Sequence, residues 1–166
     1  MTLPASAWSS PWPSGAARVA ALGVVLSVLS ACSASLPEPA SVDTRNDQCA
    51  HCRMTVADVR FAAQLVAPGE EPKFFDDIGC LRAFLGAQAS LPPGTVAYVA
   101  DHRTKEWVQA GKAVYVSNPA LETPMSSHIV AFATASSRDG DPAAAGGETL
   151  DAAGVFEAVA VPGGGR

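Results

Sequence analysis

The residues with the clearest chemistry are sulfur-bearing side chains. Cys49-Ala50-His51-Cys52-Arg53-Met54 places two thiols, a thioether and an imidazole within one short segment, and Cys80 and Met125 follow later. Thiolates and thioethers are soft donors, which suit Cu(I) better than Mg, Ca or Mn. The sequence therefore predicts a soft-metal site, with Cu(I) preferred, whose candidate ligands are Cys49, Cys52, Met54, Cys80 and Met125.

Zinc is the competing ion, because it takes four ligands in a closed tetrahedron. Cys49, Cys52, Cys80 and His51 would supply four, but methionine is a poor zinc ligand. His128 and His102 lie near the ends of predicted strands, and neither is expected to bind a metal.

Each candidate also has a plain structural interpretation. A CxxC pair such as Cys49 and Cys52 is often a disulfide or a redox couple in exported proteins. Cys80 fits a small buried helix position, and methionines commonly fill cores. The pair Asp76-Asp77 is interpreted as helix capping rather than as a catalytic carboxylate pair.

The first 31 residues are interpreted as a targeting segment. Arg18 precedes the apolar run Val19–Ala31, which is too short for a membrane-spanning helix of about 20 residues but suits a secretory signal. The run ends in Leu29-Ser30-Ala31-Cys32, which resembles a bacterial lipobox, where cleavage precedes a cysteine that carries diacylglycerol. We expect Cys32 to be lipidated and to anchor the protein in the cell envelope, facing the periplasm.

Removing residues 1–31 takes away one of the 11 basic residues and none of the 16 acidic residues, so the net charge changes from −5 to −6. An acidic chain of this kind argues against a nucleic-acid partner. The 135 remaining residues are enough for one domain, predicted over 49–160. Residues 32–48, small, polar and proline-containing, predict a flexible tether, and the glycine-rich residues 161–166 predict a disordered tail.

Periodicity within the domain predicts an α+β fold. The first set of elements comprises strands over Arg60–Ala67, Lys73–Asp76 and Thr95–Asp101, with a helix that starts after Asp77 and ends around Gln88–Ser90. A looser second set comprises a strand pair or bent strand over Trp107–Val116, a strand over His128–Ala135 and a helix over Thr149–Val159, with Arg138–Gly147 as a loop. Antiparallel sheets with helices packed on one side are expected.

Several blocks, in order, resemble the NosL family, lipid-anchored accessory proteins of nitrous oxide reductase. They are Cys49-x-x-Cys52-x-Met54-Thr55-Val56, Phe61-Ala62-Ala63-Gln64, Phe75-Asp76-Asp77-Ile78-Gly79-Cys80, Asp101 with Glu106-Trp107-Val108, Ala113-Val114-Tyr115-Val116 and Thr123-Pro124-Met125. The resemblance implies two ββαβ-like units and a Cu(I) chaperone without enzymatic turnover. It also implies delivery of copper through an ABC-type membrane transport complex for maturation of the apo reductase.

The chain departs from the pattern of the family in two places. Arg53 stands where a glycine is usual, which argues against a positive φ at that position. Ser126-Ser127-His128 replace the usual glycines after Thr-Pro-Met and offer an additional imidazole.

Two classes of function follow. The first is a copper-binding chaperone, and the second is a thiol-disulfide redox module that uses Cys49 and Cys52. A distant fold resemblance between this family and organomercurial lyases suggests a lyase as a weaker variant of the second. The chaperone is favoured because it uses Met54 and Met125, which a dithiol enzyme does not need. A thioredoxin-like module would also place its CxxC after a buried strand, whereas here it follows a polar segment.

The lipobox gives the first testable prediction. Cys32→Ala removes the acceptor of the lipid, so we expect the variant to accumulate as an unprocessed or soluble form. Fractionation of cells and electrophoretic mobility measure this outcome. Unchanged membrane association together with unchanged mobility would contradict the lipobox interpretation.

Overall fold

The computed structural model describes residues 35–156 and 161–163. The predicted signal peptide and Cys32 lie outside these residues. Within the described part of the chain, no helix combines the length and the apolar character needed to cross a bilayer.

The first half of the domain forms a four-stranded antiparallel sheet in the order β2-β1-β3-β4. Its strands are β1 (Ala63–Val66), β2 (Lys73–Phe75), β3 (Val96–Ala100) and β4 (Trp107–Gln109). Every residue of β1 and β3 is buried, so both faces of the central strands are covered. In contrast, β2 is an edge strand of this sheet, and its outer edge is available to another segment.

Helix α1 (Ile78–Ala87) follows β2 directly. Asp77 caps its first turn, because Asp77 Oδ1 accepts a hydrogen bond of 2.6 Å from the amide of Gly79. Ile78, Leu81 and Leu85 recur at helical spacing and are buried. The predicted helix and its cap are confirmed, and the last helical residue precedes the expected end by one position.

The second half repeats the arrangement. It contains β5 (Val114–Ser117), β6 (Ile129–Phe132), α2 (Ala135–Asp139) and β7 (Glu148–Leu150), followed by α3 (Ala152–Phe156). The sheet order is β6-β5-β7, which is the order of β2-β1-β3 in the first half. The chain therefore contains two ββαβ units, as predicted, and the α+β class is confirmed.

Asp101 joins the two sheets. A bridge pairs it with Ala131 of β6, and the amide of His102 donates 2.9 Å to the Ala131 carbonyl. Burial opposes the charge of Asp101, but hydrogen bonds from three amides and from the Ser137 hydroxyl hold its pKa below the ordinary value. This satisfied carboxylate fixes how one ββαβ unit meets the other.

Three boundaries differ from the sequence-based expectation. The expected strand Arg60–Ala67 begins with a 3-10 turn over Val59–Phe61, capped by Asp58. The expected loop 138–147 contains the end of α2 and a 3-10 turn over Pro142–Ala144. Thr149, expected in a helix, pairs in β7, because strand pairing with β5 overrides local helical spacing.

Residues 37–48, expected to belong to a flexible tether, make defined contacts with the domain. The Tyr98 hydroxyl donates 2.6 Å to the Pro37 carbonyl. The buried side chain of Gln64 accepts 2.8 Å from the Ala40 amide and donates 3.1 Å to the Ala40 carbonyl. At the other end, the Pro162 carbonyl accepts 3.0 Å from the Ala97 amide, so the start of the expected tail is also held.

Gln64 provides a test of this docking. Gln64→Leu leaves both backbone groups of Ala40 without their partner, which costs about 1–3 kcal/mol when such groups stay buried. We expect a lower free energy of unfolding in urea and faster hydrogen exchange at the Ala40 amide. Gln88→Leu is the matched control, because the side chain of Gln88 is exposed and makes none of the hydrogen bonds that hold residues 37–48. Equal losses in both variants would contradict the proposed role of Gln64.

Candidate metal centre

The CxxC segment is bound along the outer edge of β2. Cys49 forms a parallel bridge with Phe74, and the Ala50 amide donates 2.7 Å to the Phe74 carbonyl. A second bridge, between Gln48 and Thr55, closes the segment into a loop. An exposed edge strand is thereby covered, and the loop is placed next to the residues that follow β2.

Within the loop, the backbone turns tightly around the sulfur of Cys49. The Cys52 amide lies 3.5 Å from Cys49 Sγ, and the Arg53 amide donates 3.0 Å to the Cys49 carbonyl. Arg53 has φ 69°, the left-handed conformation that glycine adopts most easily. The expectation that arginine would exclude this conformation is wrong, because the loop contacts on both sides determine the turn.

Three elements bring four potential ligands together. The loop supplies Cys49 and Cys52, the residue after β2 is Asp76, and the first turn of α1 supplies Cys80. One ligand atom from each of these residues lies within 4.8 Å of all the others. Cys52 Sγ is 3.4 Å from both carboxylate oxygens of Asp76. A single ion can therefore contact several of these atoms after small side-chain movements.

The four residues differ in their access to solvent. Cys49, Asp76 and Cys80 are 0%, 2% and 2% exposed, whereas Cys52 is partly exposed. All three thiols are free rather than disulfide-bonded. An ion or an exchanging ligand would therefore approach this cluster from the side of Cys52.

Burial also decides the protonation of the thiols. Burial raises the pKa of Cys52 to about 11, against a smaller lowering by the Met54 amide, and Cys49 and Asp76 raise it further. Burial and the neighbouring Asp76 likewise raise the pKa of Cys80. A helix N-terminus normally lowers a thiol pKa, but here the loss of solvent and the nearby carboxylate outweigh that effect. Cys52 and Cys80 thus keep their protons at neutral pH.

The two candidate methionines lie at the surface rather than in the core, and the backbone of each is hydrogen-bonded to a residue of, or next to, the cluster. Met54 is 54% exposed and Met125 is 43% exposed. The Met54 carbonyl accepts 2.8 Å from the Cys49 amide, and the Met125 amide donates 2.9 Å to Asp77, the neighbour of Asp76. Exposure at these positions argues against a packing role for both thioethers.

The histidines are engaged elsewhere or exposed. His51 is exposed. His102 is buried, lies 2.8 Å from Asp141 through Nδ1 and packs edge-to-face against the rings of Phe61 and Phe132. His128 Nδ1 lies 2.7 Å from the Leu121 carbonyl. None of the three is among the four clustered residues.

Asp76 is the site residue that the sequence interpretation missed. Capping describes Asp77 correctly, but Asp76 directs its carboxylate to the thiols. The sequence carried one signal, which is that only one member of an Asp-Asp pair can be the N-cap. It did not reveal that the CxxC loop lies beside the other member.

Comparison with known proteins supports the resemblance stated above. The model of the NosL family matches residues 39–160, well over half of the chain. The match includes all four clustered residues together with Met54 and Met125. A comparison with curated protein sequences gives no match.

The raised thiol pKa values predict how stability depends on pH. Between the ordinary value of 9.0 and about 11, folded Cys52 retains a proton that the unfolded chain loses. The free energy of unfolding of the metal-free protein should therefore fall as the pH rises through this range.

Cys52→Ser removes this titration, so the fall should be shallower than in the parent when urea unfolding is repeated across the range. The exposed His51→Ala is the control and should follow the parent. A parallel decline in the parent and in Cys52→Ser would contradict a raised Cys52 pKa.

Proposed function

The chain belongs to the NosL family, and from this membership and the sulfur cluster we propose that it is a Cu(I)-binding metallochaperone rather than an enzyme. The observation that carries the proposal is the convergence of Cys49, Cys52 and Cys80, all reduced, around the buried carboxylate of Asp76. Three soft donors within reach of one ion favour Cu(I), which is satisfied by few sulfur ligands.

The Asp76 carboxylate affects whether the site would prefer copper or zinc. Three thiolates and Asp76 would complete four-coordinate zinc, whereas Cu(I) needs only the sulfurs. The exposed thioethers of Met54 and Met125 favour Cu(I), because they are soft donors on segments hydrogen-bonded to Cys49 and Asp77, and thioethers are poor ligands for zinc. Their exposure also supports transfer, since an incoming ligand of a partner can replace a thioether before the thiolates release the ion.

The thiol-disulfide alternative has one observation in its favour, which is that the sulfurs lie within 4.8 Å of one another. Reactivity argues against it. The attacking species in thiol-disulfide exchange is the thiolate, and a Cys52 pKa of about 11 leaves little thiolate at neutral pH. A metal ion overcomes this limit by displacing the protons on binding.

We extend the proposal to the cellular role. The protein is anchored through lipid on Cys32, faces the periplasm, and gives copper to an ABC-type membrane complex that serves maturation of nitrous oxide reductase. The partly exposed Cys52, with the exposed Met54 beside it, is the side from which a receiving protein would take the ion.

Anaerobic titration of the reduced protein with Cu(I), in competition with a chelator, tests the proposal. We expect one ion per chain. Cys49→Ser, Cys52→Ser and Cys80→Ser should each weaken binding at least about tenfold, equivalent to about 1.4 kcal/mol. Met54→Leu and Met125→Leu keep approximate volume and should weaken it less.

His51→Ala is the matched control within the loop and should bind like the parent, and circular dichroism should show that each variant stays folded without metal. Parent-like binding in all of the cysteine and methionine variants, or a strong preference for zinc, would contradict the proposal. Catalysis of disulfide exchange by the parent would favour the redox module instead.

A further inference from the structure

Asp77 makes more contacts than a helix cap requires. One oxygen, Oδ1, accepts the capping hydrogen bond from the Gly79 amide at 2.6 Å. The other, Oδ2, accepts from the Thr123 hydroxyl at 2.8 Å and from the Met125 amide at 2.9 Å. The side chain is fully buried. A single carboxylate therefore joins the first turn of α1, which bears Cys80, to the segment that bears Met125.

The segment Thr123–His128, here termed the Met125 loop, is closed around this contact. The buried Thr123 hydroxyl donates to Asp77 and accepts from the His128 amide at 3.2 Å. Ser126 and His128 adopt φ values of 56° and 59°, which are uncommon for residues other than glycine. The bonds to Asp77 help to hold the loop in this unfavourable backbone conformation.

The loop also lies directly against the start of α1. A β-carbon added to Gly79 would come within 2.8 Å of Ser127 Cβ, so the side chain of another residue at position 79 would displace the loop. Gly79 and Asp77 thus both permit the close contact between the start of α1 and the Met125 loop. Both act between Asp76 and Cys80, two of the four clustered residues.

Capping alone does not account for this choice of residue. Serine, threonine or asparagine caps a helix about as well as aspartate, and burial of a carboxylate is costly unless hydrogen bonds compensate it. Asp77 receives three such bonds, and two of them come from the Met125 loop. The need for a second accepting oxygen at Asp77 is therefore explained by the Met125 loop rather than by the helix.

We propose that Asp77 is a positioning residue that couples the Met125 loop to the thiol cluster, so that the Met125 thioether helps to retain Cu(I) only while this carboxylate holds the loop. The inference rests on the proposed function. Asp77 thus affects how tightly copper is retained, although it is not itself one of the thiolate ligands.

A double-mutant cycle tests the coupling. Asp77→Asn keeps an oxygen that can cap α1, but the amide nitrogen that replaces Oδ2 is a donor and cannot accept the two hydrogen bonds from the loop. In the parent background, we expect Asp77→Asn to weaken Cu(I) binding about as much as Met125→Leu, by roughly fivefold. In the Met125→Leu background, Asp77→Asn should have no further effect.

Asp77→Ser serves as the second variant should the first fold poorly, since serine caps the helix without reaching the loop. Copper X-ray absorption adds a readout that a purely structural role would not change. Both Asp77 variants should lose the same sulfur neighbour that Met125→Leu loses, and the Met125 amide should exchange faster in both.

Additive effects of Asp77→Asn and Met125→Leu would overturn the inference, as would parent-like affinity in both Asp77 variants. These outcomes leave the proposed function intact. Failure of the parent to bind Cu(I) would overturn the proposed function and the inference together.

Discussion

The pairing of the CxxC loop with the edge of β2 is the interaction on which the rest of the site depends. The bridge between Cys49 and Phe74 determines where both loop cysteines lie. Because Asp76 and Cys80 follow Phe74 through a short strand end and a capped helix start, the same register brings them to the loop. Without this pairing, the loop thiols would have no fixed relation to Cys80, and β2 would present an open edge.

The environment of the cluster follows from this closure. Covering the edge removes Cys49, Asp76 and Cys80 from water and leaves Cys52 partly accessible. Burial then favours the neutral form of the Cys52 and Cys80 thiols, and neutral thiols are poor nucleophiles. Such a pocket favours binding of a soft cation. The cation replaces the thiol protons, and water and carboxylates are weak ligands for it. Loss of solvent thus links the fold to the proposed binding role.

The sequence predicted those features that depend on local chemistry. The helix cap at Asp77, the apolar spacing of α1 and the strands at Lys73–Phe75 and Val96–Ala100 follow from short-range rules. The resemblance to the NosL family supplied the repeat of ββαβ units, which spacing alone only suggested. Features that depend on pairing across the chain were not predictable in this way. Thr149 joins a strand because β5 is beside it, and Arg53 takes a positive φ because its loop is held at both ends.

The site was predicted only in part, because some of its residues are also placed by pairing across the chain. Residue type pointed to the three cysteines, and the structure brings them together. Asp76 was missed because its role requires knowledge that the CxxC loop lies beside β2. The docking of Pro37 and Ala40 was missed because composition describes a segment but not its partners. In each case, a contact between residues distant in sequence decided the outcome.

Copper K-edge X-ray absorption of the protein loaded anaerobically with one equivalent of Cu(I) shows whether sulfur in this cluster holds the ion. We expect an edge typical of Cu(I) and a first shell of two or three sulfur atoms, from which one sulfur is lost in Cys80→Ser. A first shell dominated by nitrogen or oxygen, or a spectrum unchanged by Cys80→Ser, would contradict this expectation.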